Sequence, residues 1–209
     1  MEPPPQSPIP HDSELEQYAA RTRRSLIARL HDWQDQQSWD EFYRTYWRLI
    51  YGVACKTGLK EDEAWDVVQE TVLSVAKQAR EHRYDPSKGS FKAWLWQITR
   101  WRINDCLRKR ATASEADVDI EKLPDFDTDA FGQIWEQEWQ QNIIKAATER
   151  VKMAVSPRQF QIFDYYVLRG MSSGEVRRKL GVSLAQVYLA RHRVGNLLRK
   201  EIEYMKSQG

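Results

Sequence analysis

The chain has 209 residues, 41% of them hydrophobic, which is enough for one large domain or two small ones. A mean hydropathy of −0.73 and the lack of a long apolar run exclude a membrane-spanning protein and predict a cytoplasmic one. The net charge of +2 excludes neither acidic nor basic partners, because the charges are unevenly distributed along the chain.

The first residues and the cysteines carry no sign of targeting or metal binding. Residues 1–13 are rich in proline and lack the basic and then apolar order of a signal peptide, which predicts a disordered tail. Cys55 and Cys106 have neither metal-ligand spacing nor neighbouring histidines. We expect two buried free thiols, with a redox pair as the less favoured alternative, and neither a metal nor a cofactor.

Helical periodicity covers almost all of the chain outside residues 111–131, and no alternating strand pattern of useful length occurs. The fold class is therefore predicted to be all-α, with an N-terminal helical domain over residues 14–110. Its predicted helices are Ser13 to about Leu30, Trp39 to about Lys56 after a capping box of Ser38 and Glu41, Lys60 to about Arg80, and Phe91 to Arg110 after the turn at 85–89 and the Ser90 cap.

Residues 111–131 have small and acidic side chains without a period, which predicts an acidic flexible linker between two domains. Residues 1–110 contain 18 basic and 16 acidic side chains, residues 111–141 contain one and nine, and residues 142–209 contain 13 and five. The net charges of these segments are therefore +2, −8 and +8. The acidic stretch cannot bind nucleic acid by itself, whereas the basic C-terminal part favours a polyanionic partner.

A second small helical domain is predicted over residues 132–205. Its predicted helices run from near Ala130 to about Ala154, from Ser156-Pro157 to Leu168, from Ser173 to Leu180, and from the Ser183 cap to about Met205. The Gly181-Val182 turn between the last two helices is typical of a helix-turn-helix. On the last helix, Val187, Ala190, Val194, Leu197 and Leu198 are predicted to face inward, and Tyr188, Leu189, His192, Arg193 and Asn196 to face outward.

The early outward residues of such a last helix reach base edges, while cations on the preceding helix hold phosphates. Arg177, Arg178 and Lys179 are the candidates for the phosphate contacts. DNA binding is favoured over the alternative, a helical hairpin used for protein contact, because this segment is basic.

The predicted helix from Lys60 to Arg80 has two distinct faces. One face carries Ala64, Val67, Val68, Thr71, Val72 and Val75, and the opposite face carries Asp62, Asp66, Gln69, Glu70 and Leu73. Most charged faces are solvated, which is the alternative interpretation. An apolar leucine among carboxylates favours a docking surface.

The predicted helix from Phe91 to Arg110 is rich in tryptophan and arginine. Its apolar stripe of Phe91, Trp94, Leu95 and Ile98 meets Arg102 and Asp105 at the next expected positions, so the second half is predicted to leave the core. Cations neutralise phosphates, and exposed rings stack on unpaired bases. Trp94 is expected in the core, whereas Trp96 and Trp101 are candidate nucleic-acid contacts.

Taken in order, these segments resemble the sigma subunits of bacterial RNA polymerase, specifically the small extracytoplasmic-function class. Residues 66–70 (Asp-Val-Val-Gln-Glu) resemble its polymerase-binding motif, and residues 91–98 (Phe-Lys-Ala-Trp-Leu-Trp-Gln-Ile) resemble the start of its promoter-melting helix. Residues 156–198 resemble its second conserved domain, and the whole resemblance covers about residues 20–110 and 135–205. It implies a transcription initiation factor that is not an enzyme, because the polymerase would supply the catalysis.

The resemblance also implies partners: promoter DNA and core RNA polymerase, through the clamp and the flap of its two large subunits. An anti-sigma factor is a further candidate, since many relatives are held by one, and no membrane contact is implied. The acidic linker would thread the active-site cleft and the RNA exit path.

Three sets of residues match the positions that contact these partners in the family. The clamp-binding set is Asp62, Asp66, Gln69, Glu70 and Leu73. The set for the melted minus-ten element, with a flipped base near the turn, is Lys88, Ser90, Trp96, Arg100, Trp101, Asn104, Asp105 and Arg108. The set for the minus-thirty-five duplex is Arg177, Ser183, Gln186, Tyr188, Leu189, His192 and Arg193.

The chain departs from the family pattern at two places. Trp101 replaces the usual Asn, and Ala185, Gln186-Val187, Tyr188 and Leu189 replace a common pattern of a small residue, Thr-Val, a cation and Ser. Tyr188 and Leu189 imply contact with thymine methyls or a changed docking depth, so the promoter sequence cannot be carried over.

Two other functions remain open at this point. The first is a polymerase-independent helix-turn-helix transcriptional regulator whose N-terminal domain binds a partner or a ligand. The second is a nucleic-acid-processing enzyme that uses the carboxylates of Asp62, Glu63, Asp66 and Glu70 with a divalent metal.

Overall fold

The computed structural model describes residues 26–32, 34–81, 84–85, 87–114 and 127–208. Within these ranges the ordered elements are helices and no strand occurs, which confirms the all-α prediction. The α-helices are Leu26–Arg29 (α1), Gln36–Lys56 (α2), Glu61–Arg80 (α3), Phe91–Ser114 (α4), Thr128–Ala154 (α5), Pro157–Phe163 (α6), Ser173–Leu180 (α7) and Leu184–Gln208 (α8), and a π-helix, Asp164–Leu168, follows α6. The predicted tail, most of the first predicted helix and residues 115–126 of the predicted linker lie outside the described residues.

The described chain divides into two compact units, a first of residues 26–146 with 206–208 and a second of residues 147–205, and the main division falls within α5. In the first unit α2 packs on α3, and α3 packs on α4. The first half of α5 also belongs to this unit through a buried face of Phe131, Trp135, Trp139, Asn142 and Ile143. The structure therefore divides the chain later than residue 132, the predicted start of the second domain, and α4 and α5 both extend into the predicted linker.

The start of α2 corrects the predicted cap. Asp35 is the N-cap, and its carboxylate accepts hydrogen bonds from the Ser38 backbone N–H (3.0 Å) and the Ser38 hydroxyl (2.5 Å). Ser38 is buried inside the first turn, and Glu41 pairs with Arg29 at 2.7 Å instead of closing a capping box. A carboxylate satisfies the free amides of a first turn as well as a hydroxyl does, and here it lies one turn earlier.

Serine caps begin the helices of the second unit, as predicted for Ser156 and Ser183, whereas the cap at Ser172 lies one residue before the predicted helix start. The hydroxyls of Ser156, Ser172 and Ser183 accept the backbone N–H three residues on, at 3.2, 3.3 and 3.2 Å. Gly181 ends α7 with a left-handed φ of 62°, and the turn leads directly into α8. These turns position a core cluster of Ile162, Val176, Val182, Val187 and Ala190 between the helices.

The predicted helix ending at Leu168 is interrupted. Its regular part ends at Phe163, and the π-helix closes with a hydrogen bond from the Arg169 N–H to the Asp164 carbonyl at 2.9 Å. The spacing of apolar residues does not distinguish an α-helix from a π-helix here, because a π turn adds only a single residue.

Candidate nucleic-acid interface

The acidic face of α3, defined as Asp62, Asp66, Gln69, Glu70 and Leu73, lies on the surface. All five side chains are exposed, and Leu73 is 58% exposed. The opposite face is buried at Ala64, Val67, Val68, Thr71 and Val75, and half-buried at Val72. An exposed leucine between carboxylates combines an apolar contact with negative charge, which suits a partner that is itself apolar and basic.

A cluster of four aromatic rings flanks this face. Trp65 on α3 lies parallel to Trp47 on α2 with 5.2 Å between centroids, and it also contacts Tyr51 at 5.0 Å. Tyr43 stacks on Trp47 at 6.4 Å. This cluster was not predicted from the sequence, although the spacing of four residues from Tyr43 to Trp47 and from Trp47 to Tyr51 indicates one helix face.

The buried line of α4 continues to Ile103 and Asn104, beyond the point where the core stripe was predicted to end, and its residues described after Asn104 are half-buried or exposed. Thr99 and Ile103 are fully buried, because the buried line continues from Leu95 in steps of four residues. The prediction extended the stripe from Ile98 to Arg102, four residues later, and therefore ended the buried face too early. Asn104 is also buried, with 6% of its surface exposed, and its role as a minus-ten contact stays a prediction.

Trp101 is the most exposed aromatic side chain of α4, with 57% of its surface accessible. The Arg102 guanidinium carbon lies 4.4 Å from the centroid of its ring. Arg102 is fixed from α3, since it donates to the Ser74 hydroxyl at 2.9 and 2.7 Å and pairs with Glu70 at 3.1 Å. Arg102, which was not among the predicted site residues, therefore joins the acidic face to the exposed ring.

Trp96 and Arg100 are half-buried and contact the start of α5. The ring of Trp96 meets Phe131 edge-on at 5.6 Å, and Arg100 donates to the Thr128 hydroxyl at 2.8 Å. The Arg100 guanidinium carbon lies 5.6 Å from the centroid of the Trp96 ring. These contacts hold both side chains in place beside the exposed Trp101.

Most of the predicted minus-ten residues of α4 converge on one cavity of about 210 Å³, whose lining residues are Trp96, Gln97, Arg100, Trp101, Asn104 and Arg108. Asp105 is not among them and pairs with Lys109 at 2.9 Å. That carboxylate raises the pKa of Lys109, first through the hydrogen bond and then through its charge. The cavity therefore joins aromatic rings, arginines and an amide.

The turn before α4 leaves Lys88 and Ser90 exposed. The Ser90 hydroxyl accepts the Ala93 N–H at 3.2 Å, which confirms it as the cap of α4. Asp85 accepts both the backbone N–H and the hydroxyl of Ser87, and these hydrogen bonds lower the pKa of Asp85. The turn is therefore held by its own side chains, with the Lys88 ammonium 3.7 Å from Asp85.

On α8 the predicted inward and outward faces agree with the structure at most positions. Val187, Ala190 and Val194 are buried, while Tyr188 and Leu189 are 49% and 42% exposed. Arg177 and His192 are exposed and Arg193 is half-buried. Asn196, predicted outward, is half-buried with its amide 3.2 Å from His192 Nε2. Ser183 and Gln186 cap the helix reciprocally, since the Gln186 side chain accepts the Ser183 N–H at 2.8 Å.

Residues 42–112, from α2 into α4, match the family model described as Sigma-70 region 2. The chain is 28% identical over 164 residues to the ECF RNA polymerase sigma factor SigE of Mycolicibacterium smegmatis, which covers 78% of this chain and 60% of that protein. It is also 28% identical over 85 residues to the ECF RNA polymerase sigma factor RpoE of Cereibacter sphaeroides, covering 41% of this chain and 46% of that protein. The chain is therefore similar to extracytoplasmic-function sigma factors, and residues 42–112 form a Sigma-70 region 2 domain.

The match over residues 42–112 contains the acidic face of α3 and all six residues that line the α4 cavity. The two surfaces therefore lie in the part of the chain that matches the Sigma-70 region 2 model. The chain spans less than two thirds of the length of either relative. Sigma factors are not enzymes, in line with the expectation for this chain.

The carboxylates proposed for an enzymatic site have other contacts. Glu63 accepts the Lys60 N–H at 2.8 Å and pairs with Arg110 at 3.3 Å, and Glu70 pairs with Arg102. In the described part of the chain no group of three or more His, Cys, Asp or Glu side chains could hold a metal ion. None of the described helices is long and apolar enough to cross a membrane.

Cys55 and Cys106 are free but half-buried, not fully buried as predicted. Burial raises the pKa of the Cys106 thiol, and the charge of Glu63 adds to this. A hydrogen bond with Cys55 raises the pKa of Tyr51. A raised pKa keeps the Cys106 thiol protonated, which makes it a poor nucleophile.

Proposed function

We propose that this chain directs promoter-specific transcription initiation as a subunit of RNA polymerase. The acidic face of α3 binds the clamp of the polymerase. The cavity and the exposed ring of α4 capture the melted minus-ten strand, and α8 reads the minus-thirty-five element as a duplex.

A single observation carries this proposal. Trp101 is exposed under the guanidinium of Arg102, which Glu70 and Ser74 of the neighbouring helix hold in place. Ring faces stack on unpaired bases, and a fixed cation beside a ring neutralises a phosphate or stacks on a base itself. A duplex hides its base faces, so this pair suits a melted strand.

The anchoring role of α3 rests on charge and exposure. Asp62, Asp66 and Gln69 are exposed on one face, with Leu73 between them and the end of the helix. Opposite charges speed association and align the partners, while a buried leucine contributes most of the affinity. We therefore assign polymerase binding to this face, and an anti-sigma factor would be a competitor for the same surface.

The test is run-off transcription with purified core polymerase on a promoter library, followed by the double change Asp66→Ala and Gln69→Ala. We expect the double variant to lose association with core polymerase by about tenfold or more, since a patch of exposed charge and amide contributes mainly to docking. A matched control is Gln37→Ala with Asp40→Ala, which removes the same two exposed side-chain types at the same spacing from α2.

Intact association in the Asp66 and Gln69 variant would reject the assigned docking face. Specific duplex binding by the chain without polymerase, and no transcription with it, would instead favour a polymerase-independent regulator. Divalent-metal-dependent turnover that disappears with Asp66→Ala would favour the enzyme.

A further inference from the structure

Tyr166, in the π-helix before α7, contacts two residues of α8. Its ring meets the ring of Tyr188 edge-on, with centroids 6.1 Å apart and an interplanar angle of 86°. The guanidinium carbon of Arg191 lies 5.9 Å from the centroid of the Tyr166 ring. Tyr166 therefore touches side chains three residues apart on α8, both of which are exposed.

The π-helix carries both tyrosines of this region. It places Tyr165 and Tyr166, which are neighbours in sequence, against the same core cluster of the second unit. Tyr165 is held further by Arg169 and Lys179, whose charged groups lie 4.8 and 4.9 Å from its ring centroid. An inserted residue changes the direction of the side chains that follow it, and π turns are frequent at functional positions.

The contact fixes one side of an otherwise exposed ring. Tyr188 keeps 49% of its surface accessible, and it lies near the start of α8 beside the exposed Leu189. A side chain that is already held loses little rotamer freedom when a ligand binds. An ordered aromatic edge at the start of a groove-binding helix can distinguish a thymine methyl from the other groups of the major groove.

We propose that Tyr166 is a positioning residue that sets the base preference of α8 through Tyr188, and that Arg191 supplies a phosphate contact at the same place. The proposal rests on the proposed function, since it requires α8 to face duplex DNA. Neither Tyr166 nor Arg191 belongs to the set that the family resemblance assigns to the minus-thirty-five element.

The experiment compares holoenzymes assembled from core polymerase and the full chain, with DNA duplexes randomised upstream of a fixed minus-ten element. Wild type, Tyr166→Ala, Tyr166→Phe, Tyr188→Ala and the double alanine variant are each used to select bound duplexes. Val167→Ala, which truncates the exposed neighbour on the same π-helix, is the matched control. Thermal unfolding of each variant by circular dichroism accompanies the selection.

We expect Tyr166→Ala to change the preference at one or two base pairs by about two- to tenfold, the range of an aromatic pair. Tyr166→Phe should retain the wild-type preference, because the edge-on contact uses the ring. The double variant should show no larger change than Tyr188→Ala alone. Arg191→Gln should leave the preference unchanged and lower the slope of log affinity against log salt by about one.

Additive effects of the two alanines, or a uniform loss of affinity with no change of preference, would overturn the positioning role. If Tyr166→Ala unfolds the second unit, Tyr166→Phe becomes the deciding variant. A folded Tyr166→Phe that has lost the wild-type base preference would contradict the role of the ring contact. An unchanged salt slope in Arg191→Gln would reject the phosphate contact. A wild-type holoenzyme that selects no upstream sequence would overturn the proposed function and this proposal with it, whereas normal selection with additive variants overturns this proposal alone.

Discussion

Arg102 and Trp101 show how one neighbouring pair on α4 serves both the fold and the surface. The Arg102 guanidinium donates to Ser74, pairs with Glu70 of α3 and lies over the Trp101 ring. It can therefore leave the ring only by breaking its contacts with α3. Planar guanidinium groups are suited to this double use, because they donate in the plane and stack on the face. The ring itself remains exposed for a ligand.

Trp101→Ala tests the function of that exposed ring. We expect open-complex formation by the holoenzyme to fall by about tenfold or more, since stacking on an aromatic side chain contributes roughly 1–3 kcal/mol per base. Because the ring is 57% exposed, the free energy of unfolding should change by less than about 1 kcal/mol. Permanganate reactivity of promoter thymines measures the melting.

Trp101→Phe keeps a stacking face and should retain most of that reactivity. Association with core polymerase should be normal in both variants, because the ring lies outside the acidic face of α3. Unchanged permanganate reactivity in the alanine variant would reject the role of Trp101 in holding a melted strand.

The same helix shows where residue-level prediction from sequence succeeds and fails. The exposure of Trp101 was predictable, since this ring follows a polar position and is flanked by two arginines. The burial of Asn104 was not, because a polar side chain is expected at the surface unless its partners are known. Periodicity identifies a face, but only the packed neighbours decide how wide the buried face is.

At the scale of elements, the tight turn between α7 and α8 requires a glycine. Gly181 has a φ of 62°, where a Cβ is strained even though nothing lies within 4 Å of its position. Gly195 is instead in the interior of α8, where an added Cβ would lie 3.9 Å from the Phe163 ring, an ordinary contact. The same chemical change should therefore have opposite effects at the two positions.

We expect Gly181→Ala to lower the free energy of unfolding of the second unit by about 1 kcal/mol, and Gly195→Ala to raise it by about 0.5–1 kcal/mol. Gly181→Asn should cost less than the alanine. All nine tryptophans lie between residues 33 and 139, so tryptophan fluorescence reports the first unit alone. The glycine variants should move the transition seen by circular dichroism and leave the fluorescence transition in place. If Gly181→Ala and Gly195→Ala shifted the circular dichroism transition equally and in the same direction, the different backbone requirements assigned to the two glycines would be wrong.

The first half of α5 is held to α4 in part by Glu136, whose carboxylate accepts hydrogen bonds from Gln140 at 2.8 Å and Lys92 at 2.5 Å. These hydrogen bonds lower the pKa of Glu136 below its ordinary 4.5, the one from Gln140 having the larger effect. Because the pKa of Glu136 is lower in the folded state than in the unfolded state, its carboxylate stabilises the fold at pH values above the unfolded-state pKa. This stabilisation is lost as the pH falls through the folded-state pKa.

The wild type should therefore be more stable than Glu136→Gln at pH 6, and the difference should shrink as the pH falls below 4.5. Tryptophan fluorescence during urea unfolding measures it in the first unit. Gln133→Ala, at an exposed position of the same helix, is the control and should show no such dependence on pH. A constant difference from pH 6 to pH 3 would contradict the role of the carboxylate.

The position of α5 marks the limit of what the sequence predicted about elements. The helices, their serine caps and the turn at Gly181 followed from local patterns, because caps and turns depend on neighbouring residues. The attachment of α5 to the first unit depends on long-range contacts, such as the Asn142 amide donating to the Thr45 carbonyl at 2.9 Å and Trp139 stacking on Tyr46 at 6.0 Å. Nothing in the spacing of residues 111–131 reveals which unit the following helix joins.

At the scale of the whole molecule, the division within α5 determines which fragment folds. The fragment 26–146 retains Phe131, Trp135, Trp139 and Ile143, all of them buried, and the fragment 26–114 loses them. Burial of one large apolar side chain stabilises a fold by about 1.5–3 kcal/mol. Their combined loss is comparable with the whole stability of a small domain, which is about 5–15 kcal/mol.

We therefore expect the fragment 26–146 to unfold cooperatively on heating and the fragment 26–114 to lose that transition, as followed by circular dichroism. Within the longer fragment, Trp135→Ala with Trp139→Ala should reproduce most of the loss, because each large core truncation costs about 3–5 kcal/mol. Gln133→Ala with Gln137→Ala changes two exposed positions of the same helix and should have little effect. Equal midpoints for the two fragments would show that α5 is not part of the first unit. The boundary near residue 111 predicted from composition would then be the correct one, and the cavity on α4 would form without the contacts from Thr128 and Phe131.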